Sequence, residues 1–228
     1  ADDAIPDPLW SRGLGDVYKR QFLATFILAS VLIGCKSKET ALFEITYNSS
    51  LELDGYDGRL LLIISKDTLK EPRFQINDSD ETGILIGKNV NQWTSEQKQF
   101  FTSSNLAYPI ESLNELESGT YFVQALLHKY DTFNLSNGNT VQLPMDQGEG
   151  QKWNISPKNI YSKPIKFEFN KNSKSPVRIE ITEEIPPIKP VEDSEYVKHV
   201  KIKSKMLSEF WGRPMYLQAN VLIPEGFN

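Results

Sequence analysis

The chain has 228 residues, of which 39% are hydrophobic and 11% aromatic, and carries a formal net charge of −5. That length suffices for one globular domain with additional segments, and the acidic balance argues against a nucleic-acid partner, because no basic stripe is present to replace counterions along phosphates. A single cysteine, Cys35, excludes an internal disulfide and a multi-cysteine metal site, while two histidines, His128 and His199, leave little material for a zinc centre or a triad.

Residues 1–21, with their RGLGDVYKRQ segment, do not have the form of a secretory n-region. They read as a non-native leader of the kind adapter sequence leaves at the ends of genes assembled from environmental DNA, and are set aside from fold reasoning. Lys19 and Arg20 then precede an apolar run over residues 22–33. That run falls short of the roughly 20 residues a bilayer span takes and fits a signal-peptide h-region. It ends in Leu32, Ile33, Gly34 and Cys35, which resembles the lipobox of bacterial lipoproteins. A small residue before the cut admits the peptidase, and the Cys35 thiol accepts a diacylglycerol. The resemblance implies cleavage before Cys35, acylation of the new amino terminus, and retention at the bacterial cell envelope, on the outer membrane or periplasmic side. Several acyl chains meet the requirement that stable anchoring takes more than one lipid signal. Residues 36–40 are the expected tether. The bland alternative is a buried helix with an inert cysteine.

Residues 41–182 read as a mainly β domain. Phe43, Ile45 and Tyr47 alternate in a first strand, and residues 58–65 (GRLLLIIS) form a continuous apolar run, as expected of a strand buried on both faces. A shorter piece covers 84–86, and 95–101 (SEQKQFF) carries a helical turn. Residues 121–127 form another apolar strand. Ile165, Phe167 and Phe169, then Val177, Ile179 and Ile181, alternate with charged residues, and the polar 170–175 between them predicts a hairpin. Short strands with polar turns and almost no helix indicate a sandwich or barrel. Leu116, Gly119 and Tyr121 resemble the entry to the sixth strand of immunoglobulin-like sandwiches, where a tyrosine hydroxyl ties back to upstream backbone. An unrelated β-barrel is the alternative.

Pro186, Pro187 and Pro190 make 183–193 a stiff extended linker, which sets a domain boundary. Beyond it, Val200, Ile202, Ser204 and Met206 alternate with lysines in one strand. A turn follows at Phe210, Trp211, Gly212, Arg213 and Pro214, and Met215, Leu217, Ala219, Val221 and Ile223 share one face of a second strand. A hairpin alone is marginal in water, so residues 194–228 read as the start of a truncated domain.

The connection 131–161 is the best candidate binding element, since long structureless connections tend to be functional or disordered. Within it Asp146, Gln147, Glu149 and Trp153 are candidates for docking a neighbouring domain or holding a ligand, with a plain ordered loop as the third reading. Residues 140–143 are a candidate strand there. Asp78, Asp80 and Glu81 faintly resemble an oxygen-rich calcium loop, but their spacing fails the EF-hand pattern, and a solvated turn is the better reading. Trp93, Trp153 and Trp211 offer faces for stacking sugars, against which packing is again the better expectation. No G-x-S-x-G occurs, and neither histidine has an evident Ser and Asp set. No catalytic, cofactor or metal residue is therefore assigned.

EPRFQ at 71–75, PMDQGEGQKWN at 144–154 and EYVKHVKIKSKMLSEFWGRPMYLQANVLIPEGF at 195–227 together resemble the N-terminal part of exported esterases of the α/β-hydrolase class, similar to esterase D and enterochelin esterase. The resemblance covers most of 51–228. It implies a β domain ahead of a catalytic one, with the VLIPEGF run opening the hydrolase sheet, Trp211 and Arg213 in a domain-start motif, and the nucleophile, acid and histidine downstream. Three functions follow as expectations: a membrane-anchored β domain of a serine esterase, a non-catalytic surface lipoprotein binding a glycan or protein through 131–161, or a purely structural β module.

Overall fold

The computed structural model describes residues 41–51, 55–171, 173 and 175–227. Cys35, the apolar run before it and the leader lie outside the described residues. Among the described residues, no helix is long and apolar enough to cross a membrane. The chain runs β1 (Ala41–Tyr47), β2 (Tyr56–Ser65), β3 (Ile84–Trp93), β4 (Gln99–Thr102), β5 (Ala107–Tyr108), β6 (Gly119–Lys129), β7 (Asp131–Asn134), β8 (Thr140–Leu143), β9 (Ile160–Tyr161), β10 (Ile165–Phe169), β11 (Val177–Ile181), β12 (Glu183–Glu184), β13 (Val197–Lys203), α1 (Lys205–Trp211) and β14 (Tyr216–Leu222). The fold is mainly β, as the strand pattern predicts.

Strands β11, β1 and β4 form a small sheet, and β12, β9, β6, β2, β3 and β5 a larger one in which β10 also pairs with β6. The inward residues Leu60, Leu62 and Ile64 of β2, and Val123, Ala125 and Leu127 of β6, meet Phe43 and Ile45 of β1 in one core. The intervening Leu61, Ile63 and Leu126 face the other way, into a second cluster with Ile185, Trp153 and Tyr161. That second cover explains the unbroken apolar run of β2, because a strand with both faces buried has no need of alternation. At Gly58 a Cβ would lie 2.2 Å from the His128 carbonyl oxygen, so the close β2–β6 approach requires glycine there.

The strands run between two poles. The register sets the end of β2 (Ser65) beside the start of β6 (Phe122), and the end of β10 (Phe169) beside Gly119. Ala41 opens β1 opposite Thr102. The far end of β1 is fixed by Tyr47, whose ring meets Trp93 edge-on at 4.8 Å and whose hydroxyl donates to the Trp93 carbonyl at 2.9 Å. Trp93 pairs with Tyr56 at the start of β2. Thus Ala41, Ser65 and Gly119 mark one pole, and Tyr47, Tyr56 and Lys129 the other. At the first pole the Tyr121 hydroxyl donates to the Glu117 carbonyl at 2.9 Å, the back-bond expected of a tyrosine corner.

Four sequence readings need correction. The expected hairpin of β10 and β11 does not form: β10 pairs antiparallel with β6, while β11 pairs parallel with β1 in the other sheet. Alternation specifies that Phe167, Phe169, Ile179 and Ile181 share a core, and strands facing each other across that core satisfy it as well as neighbours do. The expected helical turn at 95–101 is instead a tight turn, closed by the Gln97 N–H on the Thr94 carbonyl at 3.0 Å, leading into β4. Phe101 of β4 is fully buried, so core packing overrides local propensity there. The 84–86 piece extends to Trp93, its polar residues lying where β5 leaves the edge uncovered beyond Ile86. Finally, Met206 does not continue the β13 alternation. Ser204 caps α1 by accepting the Leu207 N–H at 3.3 Å, and Gly212 ends the helix in the left-handed region at φ 63°.

Candidate functional site

The connection 131–161 is built rather than structureless. It opens with the β7–β8 hairpin, whose register pairs Asp131 with Leu143 and Phe133 with Val141. The turn carries Asn137 and Gly138, with Gly138 at φ +84°. The candidate strand at 140–143 forms as β8, and the Asn-Gly pair ahead of it is a hairpin signal from which its partner β7 could have been read.

The four candidate residues of the following stretch are engaged by the stretch itself. Asp146 accepts the backbone N–H of Gly148 at 2.8 Å and of Gly150 at 3.3 Å. Glu149 is buried and accepts the Gln147 N–H at 2.7 Å and the Ser156 hydroxyl at 2.8 Å. Gln147 donates its side-chain amide to the Pro157 carbonyl at 3.0 Å. Trp153 packs on the second apolar cluster. Nearby, burial holds the His128 imidazole below its ordinary pKa, and the charge of Glu149 opposes that shift.

Two of the motifs behind the esterase resemblance interlock beneath this stretch. Arg73 lies buried between the rings of Tyr161 (4.0 Å) and Phe74 (4.5 Å). It donates through Nε to Glu71 at 2.8 Å and through Nη1 to the Asn154 carbonyl at 3.0 Å. The Asn154 amide returns a bond to the Arg73 carbonyl at 3.3 Å. Gln124, fully buried, accepts the Arg73 N–H at 3.0 Å and donates to Glu71 at 2.9 Å and to the Ser162 carbonyl at 2.8 Å. A buried charge needs such pairing, so EPRFQ and the WN of the second motif act together as scaffold.

The third motif docks on the hairpin. Arg213 donates from Nη1 to the Asp131 carboxylate at 3.1 Å and from Nη2 to the Met145 sulfur at 3.4 Å. Its guanidinium lies 5.3 Å from the centre of the Phe133 ring. Trp211 meets the same ring edge-on at 5.5 Å. The candidates Trp211 and Arg213 are therefore brought together with Met145, next to Asp146, whereas Trp153 lies under the stretch. Asp131 and Phe133, which receive them, were not singled out from sequence.

Beyond this contact, the β13–β14 pair has two unlike faces. Its register places Val200 opposite Ala219, Ile202 opposite Leu217, and Lys198 opposite Val221. These residues share one side because alternate residues of a strand do, and it is apolar but for Lys198. It is also open to solvent, with Ile202 59% and Leu217 56% exposed, and on α1 Met206 and Phe210, one turn apart, are more exposed still. Covering Val200, Ile202, Leu217 and Val221, each roughly half exposed, would stabilise by about 3–6 kcal/mol at the usual 1.5–3 kcal/mol per fully buried side chain.

Other candidates fall elsewhere. Trp93 is fully buried and donates to the Gln97 carbonyl at 2.9 Å, so packing accounts for it. The turn with Asp78, Asp80 and Glu81 is exposed and lines a cleft of about 960 Å3 at the Ala41 pole. Among the described residues no group of three or more His, Cys, Asp or Glu side chains is placed to hold a metal. Asp193 and His199 pair at 3.3 Å, and the His199 backbone N–H holds the Asp193 carboxyl below its usual range. The neighbouring Ser194 hydroxyl accepts the Val197 N–H at 3.0 Å, and the group ties the linker to β13. No protein-family model, curated protein or solved structure matches the chain.

Proposed function

We propose that this chain is the non-catalytic β domain and membrane anchor of an exported serine esterase, and that β13, α1 and β14 open that enzyme's catalytic sheet. The observation that carries the reading is the apolar face of Val200, Ile202, Leu217, Ala219 and Val221, left open on a unit that Arg213 and Trp211 seat on β7–β8. A face of this kind is an interaction site, and a hairpin with one apolar side is what the edge of a larger sheet needs. In this reading lipid on Cys35 supplies the anchor at the bacterial cell envelope, and the 41–182 body is an immunoglobulin-like sandwich. The Tyr121 back-bond and the facing sheets support that assignment. A downstream hydrolase domain would hold the serine, which attacks an ester carbonyl, and the histidine, which takes its proton.

The test compares this chain with one ending at Asp193. The longer protein is expected to bind a hydrophobic dye or self-associate, and the shorter to stay monomeric and bind little dye. Equal dye binding by two monomeric proteins would contradict the reading. Purified chain is also expected to hydrolyse an activated ester no faster than background. We rank the alternative, a surface lipoprotein capturing a glycan or protein through 131–161, below this one, because Asp146, Gln147 and Glu149 are engaged within the stretch.

A further inference from the structure

We infer that the two-sheet body is a spacer that holds the C-terminal unit away from the membrane surface. The inference rests on the lipid-anchor part of the proposed function, and its geometry comes from strand direction alone. Ala41 starts β1 at the pole that also carries the end of β2 and the start of β6. Six Cα steps separate it from Cys35, and in any conformation these reach no more than about 20 Å. That pole is therefore confined close to the bilayer once Cys35 carries lipid.

The C-terminal unit is held at the opposite pole. Tyr130, following β6, donates its N–H to the Asp57 carbonyl at the start of β2 at 2.9 Å, and the next residue, Asp131, receives Arg213. Between the poles β2 spans ten residues, a length of about 30 Å. Two consequences follow. The cleft lined by Lys66, Leu69, Phe74, Asp80, Glu117 and Tyr121 faces the lipid side. The open face of β13–β14 stands off by a full strand length, placed to meet protein rather than lipid.

The test uses the full chain produced in a bacterium that acylates lipoproteins and reconstituted in vesicles with an acceptor dye on the lipid headgroups. With Cys35 acylated, a donor dye is attached through Asp80→Cys at one pole or Gln218→Cys at the other; both positions are exposed. With about 30 Å between the poles, the Asp80→Cys protein is expected to transfer energy to the bilayer faster than the Gln218→Cys protein. A Cys35→Ser chain is expected in the soluble fraction. If Cys35→Ser stays with membranes as the unaltered chain does, the anchor reading falls and the spacer with it. If Cys35→Ser leaves the membrane but the two dyes transfer equally, the anchor stands and the spacer is overturned, because the body then lies flat.

Discussion

Replacing Arg213 with alanine should loosen the C-terminal unit without melting the two-sheet body. The substitution removes an ion pair to Asp131 whose side chains are 38% and 48% exposed. Solvent screening limits such a pair to a few tenths of a kcal/mol. It also removes a guanidinium lying 5.3 Å from the Phe133 ring centre, a contact of about 0.5–1 kcal/mol at an exposed site. The Trp211–Phe133 contact remains. The loss of about 1–1.4 kcal/mol raises the undocked fraction about five- to tenfold, since 1.4 kcal/mol is a factor of ten. The assay is native-state proteolysis by a nonspecific protease, scored as cleavage within α1 (205–211). That helix loses its support when the unit undocks, because a lone hairpin is marginal, and the rate tracks the open population when closing is fast. A double-mutant cycle with Phe133→Ala should return a coupling of about 0.5–1 kcal/mol. Cleavage within twofold of the unaltered protein, or no coupling with Phe133, would refute the docking argument.

Other expectations concern the body. Arg73→Ala should cost about 2–3 kcal/mol in urea unfolding, because it removes the Nε bond to Glu71, the Nη1 bond to the Asn154 carbonyl and the guanidinium packed against the Tyr161 and Phe74 rings. Tyr121→Phe should cost about 1 kcal/mol by removing the donor to the Glu117 carbonyl. Gly58→Ala should cost about 2–3 kcal/mol by forcing β2 from β6, where the new Cβ would sit 2.2 Å from the His128 oxygen. His128 is held below its ordinary pKa by burial, so the unfolded chain binds its proton more readily. Its contribution to stability is then full above about pH 6.5 and declines as the pH falls towards the depressed folded value. His128→Gln should accordingly shrink the drop in urea midpoint between about pH 7.5 and 5.5; an unchanged drop would show that His128 does not report its burial.

The sequence carried the core well, because alternation and apolar runs are direct consequences of which faces are buried. Phe43, Ile45 and Tyr47 point inward as read, and β2 has both faces covered. What the sequence could not carry was partner choice. The pattern in β10 and β11 is equally consistent with strands side by side or facing across a core, and the chain adopts the second. Met206 fits a strand alternation by chance, while the cap at Ser204 and the stop at Gly212 were legible helix signals. In the candidate site, Trp211 and Arg213 stood out as a string, but Asp131 and Phe133 are polar and aromatic residues of a short hairpin with no motif of their own. Only the tertiary contact brings them forward. Arg73 likewise reads as an ordinary surface cation until Tyr161 and Asn154 close over it.

The account turns on the open face of β13–β14 being the first edge of a catalytic sheet supplied by residues that follow it. The most direct measurement is the nucleotide sequence of the native gene downstream of the Asn228 codon. The account predicts an open frame continuing into a domain with a G-x-S-x-G elbow followed by an acid and a histidine. A stop codon at that point, or a further β module without the elbow, would contradict it.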